Sequence, residues 1–140
     1  MRKLVILAAV GALVCTSTAL AGGWATVKLS SSPKNVSAGD PWIVDVTVLQ
    51  HGLASQPLAG LKPTVTIRRA TSPRTTSSVH KEPAVRTFKA RATSRVGVYR
   101  ARVVFPAAGA WRYEVFDGFT EYGGARTHTF KAVRIAPSGT

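Results

Sequence analysis

GVYRARVVFPAAGAWRYEVFD, residues 97–117, sets two runs of strictly alternating side chains on either side of a short Pro- and Gly-containing turn. Tyr99, Ala101, Val103 and Phe105 alternate with Val98, Arg100, Arg102 and Val104; beyond residues 106–109, Trp111, Tyr113 and Val115 alternate with Arg112, Glu114 and Phe116. A period of two is strand geometry, so the stretch predicts a β-hairpin with an aromatic-bearing apolar face on each arm. Rings of this size bury roughly 150–250 Å² each, enough to centre the core of a small β domain.

Working outward, the same alternation recurs. Residues 24–30 (WATVKLS) place Ala25, Val27 and Leu29 on one face. Residues 42–49 (WIVDVTVL) place Trp42, Val44, Val46 and Val48 on one face and Ile43, Asp45, Thr47 and Leu49 on the other. Residues 64–69 carry Val65 and Ile67 inward, and residues 85–90 resume the pattern. In the last run, 127–135, the apolar parity changes between Phe130 and Val133, which predicts a β-bulge. Between these runs lie turn residues: 31–35, 38–41, the Gly- and Pro-punctuated loop 50–63 whose Leu53, Leu58 and Leu61 should fold back onto the domain, the Ser/Thr-rich loop 70–83, and 118–126. There is no repeat, heptad or amphipathic helix. The expected fold is all-β, an antiparallel immunoglobulin-like β-sandwich of about seven strands, preceded by a cleavable signal peptide.

That signal peptide is expected over residues 1–21. Arg2 and Lys3 precede an apolar run of about 11 residues, too short for a span of about 20, and Ala19-Leu20-Ala21 is a small-x-small cleavage site. Retention as an anchor and lipidation at Cys15 are alternatives, although Val14 stands where a lipid-modified signal calls for Gly or Ala. The domain is then residues 22–140, 119 residues located outside the cytoplasm, either secreted or associated with periplasm or wall, with no transmembrane segment after cleavage. Its only cysteine, Cys15, leaves with the signal, so packing alone must hold it.

The order of Gly39-Asp40-Pro41-Trp42, Pro57-Leu58-Ala59-Gly60 with Val65-Thr66-Ile67, Gly97-Val98-Tyr99-Arg100-Ala101 with Phe105, and Gly109-Ala110-Trp111 resembles the YtkA-like domain, related to FixH, over about residues 29–115. The resemblance implies an exported β-sandwich, often placed near copper handling or oxidase assembly, with no catalytic residues to carry over. Relatives tend to carry methionine and histidine in the middle segment; here residues 70–83 hold only His80.

Chemistry-bearing residues are sparse. Without a cysteine past residue 15, a blue-copper site is excluded. His51 and His128, with a carboxylate such as Asp45 or Glu121, would suit Cu or Zn; the competing reading leaves His51 solvated in a turn and His128 solvated on a strand face. Asp117, Glu114 and Glu121 would either hold a cation such as Ca²⁺ or offset Arg112 and Arg126. No nucleophile elbow or carboxylate pair suggests hydrolysis, so no catalytic residue and no cofactor is expected.

Charge is the remaining signal. The chain has 19 Lys and Arg against 6 acidic residues, a formal net charge of +13. Without residues 1–21 the balance is 17 against 6, or +11. Arg68, Arg86, Arg100, Arg102 and Arg112 are expected to form an anion-binding face on one sheet, for an envelope protein or an anionic wall polymer and not for nucleic acid; the alternative is a charge that serves solubility. The functional expectation is an exported, non-catalytic binding or accessory module of the cell envelope, with metal handling and adhesion to an anionic surface as alternatives.

Overall fold

A computed structural model describes residues 24–51, 55–70, 85–121 and 124–139. The expected signal peptide with Cys15, and Leu53, His80 and most of the loop 70–83, lie outside the described residues.

Ten strands make two antiparallel sheets, with no α-helix among the described residues. β1 (Ala25–Leu29), β2 (Pro41–Gln50), β7 (Val98–Val104) and β6 (Arg91–Ala92) lie in that order in sheet one, with the two-residue β3 (Gln56–Pro57) added to the end of β2. Sheet two runs β10 (Val133–Ile135), β8 (Gly109–Phe116), β4 (Thr64–Arg69), β5 (Val85–Lys89), with β9 (Thr127–Thr129) also on β8. All seven alternating runs of the sequence are strands here. The inward sets are also as expected: Trp42, Val44, Val46, Val48, Val65, Ile67, Tyr99, Ala101, Val103, Trp111, Tyr113 and Val115 are buried. They form one core shared by both sheets, a β-sandwich-like arrangement.

The stretch 97–117 is not a hairpin. β7 pairs with β2 and β6, whereas β8 pairs with β4, β9 and β10 in the opposite sheet. Residues 105–108 therefore cross between sheets. Alternation dictates which side chains point inward but not which strand lies alongside, and two apolar faces can either sit side by side in one sheet or oppose each other across a core. Here they oppose. Phe105, fully buried at the crossing, meets Trp111 edge-on at 5.8 Å, and the Trp111 indole N–H donates to the Ala107 carbonyl at 2.8 Å, fixing the corner.

Two other strands change sheet or register. β5 and β6 are separated by Ala90 alone, so residues 85–92 leave β4 in sheet two and join β7 in sheet one, closing one side of the sandwich. Small, buried Ala90, whose N–H donates to the Pro63 carbonyl at 2.9 Å, is the crossing point. β9 and β10 are one strand interrupted by the expected bulge. Thr129 opposes Glu114 and Val133 opposes Trp111, so three residues face two, and Phe130 stacks on Tyr113 at 5.4 Å.

The loop 55–63 is held to the core by Tyr99. Its hydroxyl donates to the Leu58 carbonyl at 2.6 Å and accepts from the Leu61 N–H at 3.0 Å, and Leu58 and Leu61 pack against the core. Gly97, at φ +74°, lies where a Cβ would come within 2.7 Å of the Pro57 Cβ, so glycine is required there. We predict that Tyr99→Phe, which keeps the ring and strands both loop groups, costs about 1–3 kcal/mol in denaturant unfolding.

Candidate functional site

The five arginines expected on one face stand on three. Arg100 and Arg102 project from the outer face of β7, in sheet one. Arg68 and Arg112 are directly opposed on the outer face of sheet two, on the far side of the sandwich. Arg86 is registered with inward-facing Ile67, so it takes the inner parity at the edge of β5, where it is exposed. A single stripe is ruled out because the strands carrying these residues belong to different sheets. Arg68 is also engaged with Glu114 at 2.7 Å.

What the fold does assemble is a cationic groove of about 860 Å³ at the side closed by residues 85–92. Lys62 lines it from the loop before β4, Lys89 from β5, Arg91 from β6, and Arg100 and Arg102 from β7, with Phe88 and Pro63 also in the lining. No carboxylate among the described residues lines it. Two of the arginines were expected at an anion site. Lys89 and Arg91 belong to the cation-rich middle of the chain but reach the groove from an edge strand and a strand that has just changed sheet, and Lys62, which reaches it from a loop, was not expected there. The one local signal is the small Ala90 between two cationic residues in an otherwise alternating run.

Arg100 is oriented by Asp45, its cross-strand partner on β2. Its Nε and Nη2 donate to Asp45 Oδ1 and Oδ2 at 2.7 and 3.0 Å, and Arg95 Nη2 adds a longer contact at 3.3 Å. These hydrogen bonds from Arg100 above all, with the charges of Arg100 and Arg95, hold the Asp45 carboxyl below its usual range despite some desolvation. On the other side of β7, Arg91 is registered directly against Arg100. Like charges so placed repel. The row Asp45, Arg100, Arg91 thus has one anion for two adjacent cations, with Arg95 as a third beside it.

The metal set is dispersed. Asp45 is six residues from His51 along one extended chain, about 20 Å, and is occupied by arginines. His51 is exposed at the end of β2, edge-on to Trp24 at 4.5 Å, with Arg126 stacked over the same indole at 4.9 Å. His128 is not merely solvated. It is part-buried on β9 and its Nε2 lies 2.9 Å from Oδ2 of Asp117. Asp117, fully buried, receives the backbone N–H of Phe119 at 2.9 Å and of Arg126 at 3.1 Å on Oδ1. It is therefore the clasp of the loop after β8 and not an open cation ligand; the Asp117-Gly118 pair was the sequence signal for such a turn. Glu114 is engaged by Arg68 and Glu121 is exposed, and no group of three or more His, Cys, Asp or Glu converges among the described residues.

No family model, curated protein or solved structure matches this chain. The groove must accordingly be judged by its own chemistry. It offers fixed positive charge beside apolar lining residues and holds no paired acid and base.

Two outcomes check these assignments. Asp117→Asn, which weakens a buried acceptor of two backbone N–H groups and one imidazole, should cost about 2–4 kcal/mol in chemical unfolding. For Asp45 the folded pKa is depressed, so its contribution is complete above the unfolded value near 3.9 and disappears as pH falls through the folded value. The difference in melting temperature between the native protein and Asp45→Asn, worth about 1 kcal/mol or less for an exposed pair at neutral pH, should close as pH falls from about 5 to about 2.

Proposed function

We propose that this chain is an exported, non-catalytic binding module of the cell envelope, an immunoglobulin-like sandwich that engages an anionic partner through the groove beside β7. The observation that carries this reading is the convergence of Lys62, Lys89, Arg91, Arg100 and Arg102 from three separate stretches of chain onto one hollow with no carboxylate among the described residues that line it. Charge spread for solubility alone has no reason to gather there, and the cross-strand Arg91–Arg100 placement carries a repulsion that an anion would relieve.

The immunoglobulin-like assignment is supported by strand order. Sheet one in the order first, second, seventh and sixth strand, facing β10, β8, β4 and β5, follows the A-B-E-D and G-F-C pattern of such domains with an added edge strand. The resemblance to YtkA-like domains fits a structural role for its motifs: Gly97 and Tyr99 grip the Pro57–Gly60 loop, and Gly109 and Trp111 shape the crossing between sheets. Export rests on the signal-like residues 1–21, outside the described residues.

Retention on phosphocellulose tests the reading. The protein should bind at about 10 mM salt, where exposed charges act over about 30 Å, and elute by about 150 mM, where they act over about 8 Å. Failure to bind at the lower salt would argue for charge serving solubility alone.

A further inference from the structure

The groove cations extend both along and across β7. Arg102 and Arg100 stand two residues apart on that strand, Arg91 is registered beside Arg100, Lys62 and Lys89 line the same groove, and Arg95 lines the hollow that adjoins it. The groove shares Arg91 and Arg100 with an adjoining hollow of about 510 Å³ that Arg95 also lines, so the positive surface does not stop at one pocket. Two residues along a strand separate Arg100 from Arg102 by about 6–7 Å, a spacing at which each cation meets a separate charge and not the same one.

Three kinds of anionic partner can be told apart by this geometry. An acidic peptide adding as a strand between β5 and β7 would need two strand spacings, about 9.6 Å, whereas these strands come within 8 Å between Cα atoms. An anionic membrane presents a plane, but these donors face into a hollow from two walls, and Arg68 and Arg112 face the opposite side of the sandwich. The oxygens of a phosphate are tetrahedral and can be met from both walls, by the ammonium groups of Lys62 and Lys89 on one side and guanidinium forks on the other. A carboxylate is planar and is best met within that plane, and the one beside this row, Asp45, already takes Arg100 and a longer contact from Arg95.

We propose that the groove binds a linear phosphodiester polymer, laid along β7 past Arg102 and the neighbouring pair Arg100 and Arg91 toward Arg95, with Lys62 and Lys89 lining the same groove. Asp45 is a positioning residue that holds the Arg100 side chain while leaving its Nη1 for the ligand. This proposal rests on the anion-binding reading and narrows it to one ligand class.

Titration calorimetry of the protein with poly(glycerol phosphate), glycerol 3-phosphate, poly-glutamate and phosphatidylglycerol vesicles, at equal charge concentration, tests it. The polymer should bind more tightly than the other three. The triple variant Lys89→Ser, Arg91→Ser, Arg102→Ser should weaken polymer binding by about 30-fold, while Lys28→Ser, Lys131→Ser, Arg134→Ser, with the same change in charge away from the groove, should weaken it by no more than about threefold. If the groove triple unfolds, Arg102→Ser alone, at an unchanged melting temperature, should still lose about threefold. Equal losses in the two triples, or glycerol 3-phosphate, poly-glutamate or vesicles binding as well as the polymer, would overturn the proposal while leaving an anion-binding module. Silence from all four probes at low salt would overturn the module reading as well.

Discussion

Four rings meeting between the sheets hold this structure together. Trp42 from sheet one contacts Tyr113 from sheet two edge-on at 5.4 Å, and Phe105, at the crossing, lies between Trp42 at 6.4 Å and Trp111 at 5.8 Å. Edge-on and offset contacts of this kind add about 0.5–1.5 kcal/mol per pair to the burial itself. With no cysteine beyond residue 15, no disulfide can tie the two layers, so this cluster is the principal link between them. It fits the crossing of residues 97–117, which sets the Tyr99–Phe105 face of sheet one against the Trp111–Val115 face of sheet two across the core. The Trp111 N–H bond to Ala107 and the Arg69 guanidinium 5.3 Å from the indole centroid then close the polar and outer sides of the same ring.

Much of this was legible because alternation is a local property. Each strand's inner face could be read from its own residues, and the bulge followed from a change of parity between Phe130 and Val133 that no continuous strand could accommodate. Pairing was not legible. The turn at Pro106–Gly109 suits a tight reversal within a sheet and a crossing between sheets equally, and the decision depends on the partners of β2 and β4, which lie 30 or more residues away. The arginine face failed for the same reason: Arg68 and Arg100 both belong to outward parities, but parity gives no sheet. His128 was misread because its partner, Asp117, is brought opposite only when the loop after β8 turns back.

The clasp around Asp117 and the groove beside β7 use charge in opposite ways. Asp117 is completely removed from solvent, and its acceptor capacity is met by two backbone N–H groups and an imidazole, so its role is complete within the fold. Its neighbours follow from that: Arg126, whose N–H it binds, is free to lay its guanidinium over Trp24, which in turn packs against His51. This end of the sandwich is therefore tied from the residue before the first strand to the ninth strand by contacts among the described residues.

The groove has the reverse balance. Among the described residues, Arg100 is the only one of its five cations with a carboxylate across the strand, and that carboxylate already serves Arg95. A fold whose sole aim was to spread positive charge could place Arg91 anywhere on the two-residue β6 except against Arg100. Instead, the sheet change at Ala90 brings Lys89 and Arg91 together at the seam, where sheet two ends and sheet one begins. The strand that closes the sandwich is thus the same strand that charges it. Closure is needed to cover the core beneath β7, and the side chains at the closure are free to serve whatever the outer surface meets. Two cations flanking a buried alanine satisfy both demands, protecting an exposed edge from pairing with another chain and presenting donors to an anion. The edge-protection role accounts for Lys89; it does not account for Arg102, which lies on the face of β7 and points into the same hollow.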